Sequence, residues 1–182
     1  STTDEQGNLY VGSFKEQEGS VFKYDVKTKQ FENLGIVNPG SGYVRSMAYH
    51  NGYVYLGVGE QAMLFRLNVE TKEYEDLTGD LIGLVDKQGD EREKLHFIYA
   101  LDVVQDTLVA RVDAGKSDAL MFFDLIKQEW SNTVYKKQPD EKFGAWGWNQ
   151  LAQKGSKAYV TYNNVLHELD VSDLSLTKIG GK

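Results

Sequence analysis

Cysteine is absent from the 182-residue sequence, which excludes disulfides, thiolate metal sites and cysteine nucleophiles together. Histidine is scarce: His50, His96 and His167 are widely spaced and form no HExxH-type pair, so no metal site is expected. No apolar run reaches the ~18 residues that a membrane-spanning helix needs. The N-terminus, STTDEQGN, has no signal-peptide core, although a cleaved signal would leave no trace. Basic residues number 20 against 27 acidic ones, a net charge of −7, and they form no block. That balance argues against nucleic acid or an anionic membrane surface as the main partner. Proline occurs only twice while glycine occurs 18 times, which fits many short strands joined by tight turns. No apolar pattern of helical period persists beyond about two turns, so helix content is expected to be low.

What is present is ordinary in bulk and unusual in order. Hydrophobic residues make up 41% and charged residues 26%, which is globular usage and excludes wholesale disorder. Four segments align: YDVKTKQF from Tyr24, LNVETKEY from Leu67, FDLIKQEW from Phe123 and LDVSDLSL from Leu169. Each places an Asx residue (Asp25, Asn68, Asp124, Asp170) six residues before a large apolar one (Phe31, Tyr74, Trp130, Leu176). Upstream of each lies a strand-like run: NLYVGSF, YVYLGVG, TLVARVD and KAYVTYN. The Asx side chain can bond backbone amides just ahead of it, so each unit reads as strand, turn, strand.

Repeats of roughly 40 to 50 residues, each with about four short strands, are the signature of β-propeller blades. The expected fold is all-β: a propeller section of about four blades, each a four-stranded antiparallel sheet, in one domain over residues 1–182. The blades fall at approximately 7–37, 44–78, 96–135 and 147–180. The first is expected to lack its inner strand, because residues 1–6 are short and polar, leaving an unpaired edge along Asn8 to Phe14. The chain then reads as part of a longer propeller or as a half-ring pairing with a second copy. A four-bladed ring with an incomplete first blade is the other reading.

The stretches GNLYVGSF, SVFKYDVKTKQFENLG and YVRSMAYHNGYVYLGVGEQAMLFRLNVETKEYEDL resemble bacterial extracellular β-propellers of the quinoprotein-like or kelch-like kind. Some of these accompany polysaccharide-degrading proteins. The resemblance is clearest over Gly7 to Leu77 and implies a propeller fold and a secreted, glycan-related role. The paired glycines of kelch repeats and the tryptophan-docking repeats of quinone-dependent dehydrogenases are both absent. No quinone or other cofactor is expected.

In a propeller, ligands usually meet one mouth of the central channel, at the loops entering the inner strands and those joining second and third strands. Alignment of the blades puts Arg45, Tyr99 and Asn149 at equivalent points near the start of the inner strand. Arg45 suits a carboxylate, and Tyr99 suits stacking or proton transfer; the competing reading pairs Arg45 with Glu60 to pin two blades. Tyr43, Trp146 and Trp148 are candidates for a sugar-stacking platform, against the alternative that they fill gaps between blades. His96 lies beside the mouth. Trp130, at the repeat position of Phe31 and Tyr74, is expected in the core. Asp80, Asp86, Asp90, Glu91 and Glu93 lack calcium-loop spacing and read as a solvated loop. The repeat, the acidic composition and the lack of a specific catalytic spacing point to a non-catalytic binding module that recognises carbohydrate or protein. The alternative is part of a polysaccharide lyase or hydrolase, with Arg45 neutralising a uronate and Tyr99 or His96 moving the proton.

Overall fold

A computed structural model describes residues 1–86, 97–114, 117–136, 151–162 and 165–180. Among these residues, sixteen strands fall into four antiparallel sheets of four, each made from strands consecutive in sequence. The first blade holds β1 (Thr2–Thr3), β2 (Leu9–Gly12), β3 (Ser20–Asp25) and β4 (Gln30–Ile36); the second holds β5 (Val44–His50), β6 (Tyr53–Val58), β7 (Met63–Asn68) and β8 (Tyr74–Asp76). The third comprises β9 (Phe97–Val104), β10 (Thr107–Ala114), β11 (Ser117–Asp124) and β12 (Glu129–Lys136). In the fourth are β13 (Ala152–Lys154), β14 (Lys157–Tyr162), β15 (Val165–Asp170) and β16 (Ser175–Gly180). A six-residue helix, α1 (Leu81–Asp86), follows the second blade and buries Leu81 and Leu84.

The Asx repeat has a direct physical cause. Asp25 Oδ1 accepts the amides of Lys27 and Thr28, Asn68 Oδ1 those of Glu70 and Thr71, and Asp124 Oδ1 those of Ile126 and Lys127. Asp170 takes the amide and hydroxyl of Ser172. The fourth residue after each Asx (Lys29, Lys72, Gln128, Leu174) has φ near +60° and reverses the chain into the outer strand. Two residues later comes the large apolar side chain of the repeat.

In the second and third blades that side chain reaches back to the preceding blade. Tyr74 donates its hydroxyl to the Leu34 carbonyl, and the Trp130 indole N–H donates to the Thr78 carbonyl, so Trp130 is half-buried against the second blade. Three apolar layers result. One joins Tyr10, Val21 and Leu34 to Val54, Leu56 and Leu67 between blades one and two. The next joins Tyr55 and Leu64 to Leu108, Ala110 and Phe123, and the third joins Val109, Leu120 and Phe122 to Ala158, Val160 and Leu169. Among the described residues no such layer joins the fourth blade to the first. Gly12 and Gly57 sit where the next inner strand approaches most closely. A Cβ at Gly12 would lie 2.5 Å from Val44 Cγ1, and one at Gly57 would lie 2.8 Å from the Ile98 carbonyl oxygen.

One expectation is corrected. The first blade does have an inner strand: Thr2 pairs with Tyr10 and Thr3 with Leu9. Short polar residues suffice because the buried Asp4 folds them back. Its Oδ1 accepts the Gln6 and Asn8 amides, and its Oδ2 accepts Asn8 Nδ2 and the Tyr10 hydroxyl. Gly7, at φ +83°, completes the turn. Beyond β2, Ser13 accepts the Val44 amide and Lys15 donates to the Gly42 carbonyl, so chain entering the second blade covers the rest of that edge.

The turn carboxylates also set an acid dependence. Hydrogen bonds from Thr28 and Lys27 hold Asp25 below the usual carboxylate range, those from Lys127 and Ile126 do so for Asp124, and those from Ser172 for Asp170. Folded pKa values below the unfolded ones stabilise the fold above about pH 4 and lose that contribution as pH falls through the folded values. Asn68 fills the same role uncharged. Asp25→Asn, Asp124→Asn and Asp170→Asn together should therefore keep the fold and flatten the fall of the urea midpoint between pH 5 and pH 2, measured by circular dichroism. An unchanged slope would assign the acid sensitivity to other groups.

Candidate functional site at the mouth of blades one to three

The inner strands of blades two and three each carry one extra residue. Val44 pairs with Val58 and Ser46 with Gly57, which leaves Arg45 as the bulge. Arg111 pairs with Ala100 and Val112 with Ile98, which leaves Tyr99 as the bulge. A bulge breaks the strict alternation of a strand and re-aims its side chain. Here both re-aimed side chains meet: the Arg45 guanidinium carbon lies 4.8 Å from the Tyr99 ring centroid, and that of Arg111 lies 5.4 Å from it. These are cation–π distances. Arg45 is exposed, whereas Arg111 is 2% exposed.

Tyr99 also ends a ladder of rings that crosses three blades. Phe14 stacks on Tyr43 at 4.2 Å between centroids, Tyr43 meets Phe97 edge-on at 5.4 Å, and Phe97 meets Tyr99 edge-on at 5.5 Å. The outer rung, Phe14, is 64% exposed. It lines an open cleft of about 750 Å³ together with several polar side chains. The turn Asn38 to Ser41 also lines it, and there Asn38 Nδ2 donates to Ser41 Oγ. Gln17, Glu60 and Gln61 rim it. The cleft thus lies where the loop entering the second blade meets the second-to-third loops of blades one and two.

Beneath Tyr99 the third blade buries charge. The Asp118 carboxylate accepts from Arg111 Nε at 2.9 Å and Nη2 at 2.7 Å, and both side chains are almost wholly enclosed. Asp113 is buried directly across the strand pair from Asp118. Arg111 Nη1 is buried with no hydrogen-bond acceptor among the described residues. Arg111 stands at the repeat position of Gly12 and Gly57, where in blades one and two a Cβ would meet the next inner strand.

The structure distributes the sequence candidates as follows. Tyr43 and Glu60 line one cleft, Arg45 and Tyr99 touch each other, and Phe97 joins the two groups. Arg45 rests on Tyr99, and no ion pair links it to Glu60 among the described residues. His96, Trp146, Trp148 and Asn149 lie outside the described residues. Phe14, Phe97, Arg111, Asp113 and Asp118 were not singled out by sequence. The signals for two of them were present: Phe14 ends the strand-like run NLYVGSF, and Arg111 replaces a repeat glycine.

The Arg111–Asp118 pair should matter far more than its surface counterparts. Removing one partner of a buried pair strands the other charge and costs about 3–5 kcal/mol, whereas exposed pairs contribute about 0–1 kcal/mol. Urea unfolding of Asp118→Ala should show the larger loss, and Glu75→Ala, which removes the exposed Arg66 contact, the smaller. Equal losses would mean that the buried pair is not holding the third blade.

Neither a protein-family model nor a characterised protein sequence matches the chain. Solved structures with propeller-type folds do. Hydrazine synthase of Kuenenia stuttgartiensis superimposes with a TM-score of 0.63 at 11% identity, over 98% of this chain and 48% of that one. A prolyl endopeptidase gives 0.65 at 11% identity over 97% and 25%, and TolB from Acinetobacter baumannii gives 0.55 at 12% identity over 100% and 42%. This chain spans less than half the length of each. Identities this low carry the fold alone, and the fold is that of a β-propeller section.

Proposed function

We propose that the chain is a non-catalytic binding module of a secreted bacterial protein, and that its cleft between blades one and two holds a carbohydrate. The observation that carries this reading is the ring ladder from Phe14 to Tyr99, solvent-facing at its Phe14 end and set against a polar rim. Apolar faces with a few converging polar groups are what ligand clefts are made of. The apolar face of a pyranose matches a flat ring, and its hydroxyls match Asn38, Ser41, Gln17 and Gln61. An exposed aromatic ring in water is otherwise unfavourable, because apolar surface is best removed from solvent. The extracellular bacterial setting is supported by the resemblance over Gly7 to Leu77.

Arg45 adds a second recognition element. Stacking on Tyr99 holds its guanidinium at the surface with donors available for a carboxylate, the group that distinguishes acidic sugars. A protein ligand would engage the same surface and is the other outcome of the tests below.

Calorimetric titration with neutral and uronate-containing oligosaccharides tests the reading. Phe14→Ala should weaken binding at least tenfold, about 1.4 kcal/mol, with the fold intact. Arg45→Gln should weaken uronate binding alone, and that part should fade as salt rises, because exposed charges are screened beyond about 10 Å at 0.1 M ionic strength. Binding of no glycan would reject the carbohydrate reading, and an unsaturated uronate product absorbing in the ultraviolet would reject the non-catalytic one.

A further inference from the structure

The three internal blade junctions share one design, and the two outer faces of the chain carry its separate halves. On the side facing the preceding blade, blades two, three and four present strand-2 and strand-3 positions that are buried in the apolar layers. Val54, Leu56 and Leu67 do this in blade two, and Leu108, Ala110 and Phe123 in blade three. In blade one the equivalent positions are Leu9, Val11 and Tyr24, joined by Phe22, Val26 and Phe31. No blade covers them among the described residues. Phe31 is 75% exposed, although Tyr74 and Trp130 at its position pack onto the preceding blade. Tyr24 and Phe31 lie 4.8 Å apart between ring centroids, so this face is already an ordered apolar ridge.

The face that would receive it exists on blade four. The receiving side of blade one presents Tyr10, Val21 and Leu34. The residues at those positions in blade four are Tyr159, Leu166 and Ile179, of which Leu166 and Ile179 are exposed. One further position pair varies between junctions: at the first it is Lys23 and Lys72, of which Lys72 pairs with Glu32. Across the junction of blades two and three, Arg66 Nη1 donates to Gln128 Oε1 at 2.7 Å. The same two positions are Phe122 and Leu174 at the next junction, an apolar match. At the open faces they are Glu168 on blade four, which also holds Lys157 and the Tyr159 hydroxyl, and Lys29 on blade one, a pair of opposite charges.

We infer that blade one of one chain docks on blade four of a second copy, head to tail, continuing the repeat across the contact. A head-to-tail contact either closes into a ring or runs on as a filament. Two such contacts between two chains give eight blades, within the usual range of propellers. This inference rests on the repeat geometry alone, independently of what the cleft binds.

Sedimentation velocity of the 182-residue chain over a hundredfold concentration range tests it. A species of twice the 20.6 kDa chain mass is expected. Phe31→Glu should weaken association at least tenfold, with far-ultraviolet dichroism unchanged because Phe31 is exposed in the single chain. Lys29→Glu and Glu168→Lys should each weaken association, and the two together in one chain should restore it. If Glu168→Lys fails to fold, Lys29→Glu alone carries the charge test. The mass of a single chain at every concentration would overturn the inference, as would association indifferent to Phe31→Glu or not rescued by the charge exchange.

Discussion

Everything in this molecule depends on burial of one blade face against the next. No four-stranded sheet here is wide enough to form a core alone, because a sheet buries side chains only where another layer covers it. The apolar layers between consecutive blades supply that cover, and Tyr74, Trp130 and Leu176, six residues after their Asx, pack into them. The inner strands add polar links at the same junctions. Ser46 Oγ donates to the Ile98 carbonyl at 2.6 Å, and the Val44 amide donates to the Ser13 carbonyl at 3.1 Å. The mouth is therefore built from junctions, and the ring ladder crosses blades because the strands bearing it are held by those contacts.

The site shows how a repeat acquires local chemistry without leaving its frame. A one-residue bulge at the same place in two blades brings a guanidinium onto a phenol ring. One glycine position filled by arginine then puts a second guanidinium beneath that ring, neutralised by a carboxylate on the next strand. The rest of the scaffold is unchanged. Loops and strand ends carry the variation while the apolar layers carry the stability.

Much of the architecture was legible because it is written four times. The Asx turn must make the same backbone bonds in every blade, so its residue types and spacing recur and survive as a pattern. Arg45 and Tyr99 aligned for the same reason. Their bulges were invisible, since one extra residue in a strand changes neither composition nor alternation enough to register. Thr2–Thr3 was missed because that strand exists through the side-chain bonds of Asp4 and the positive φ of Gly7, features of one turn rather than of a period. Phe14 read as the end of a strand, and its exposure follows from the path of the 38–44 loop. The Arg111–Asp118 pair left one mark in the sequence, an arginine at a repeat-glycine position, and nothing there gave its burial.

The up-and-down order of the strands has a consequence for how the chain reaches this state. Every sheet is assembled from neighbours in sequence, so forming one blade requires closing only the loops within it, and each junction then joins consecutive blades. All-β folds are usually slow to form because their pairings are distant in sequence; here the strand pairings are local and the distant contacts, such as Trp130 with Thr78, are confined to the junctions. The Asx turns are self-contained through their own side-chain bonds, so any of the four outer hairpins can begin the process and its neighbours can add to it, as in other linear repeats. Such a chain can order stepwise as it leaves the ribosome, with each new blade covering the apolar face the last one exposed.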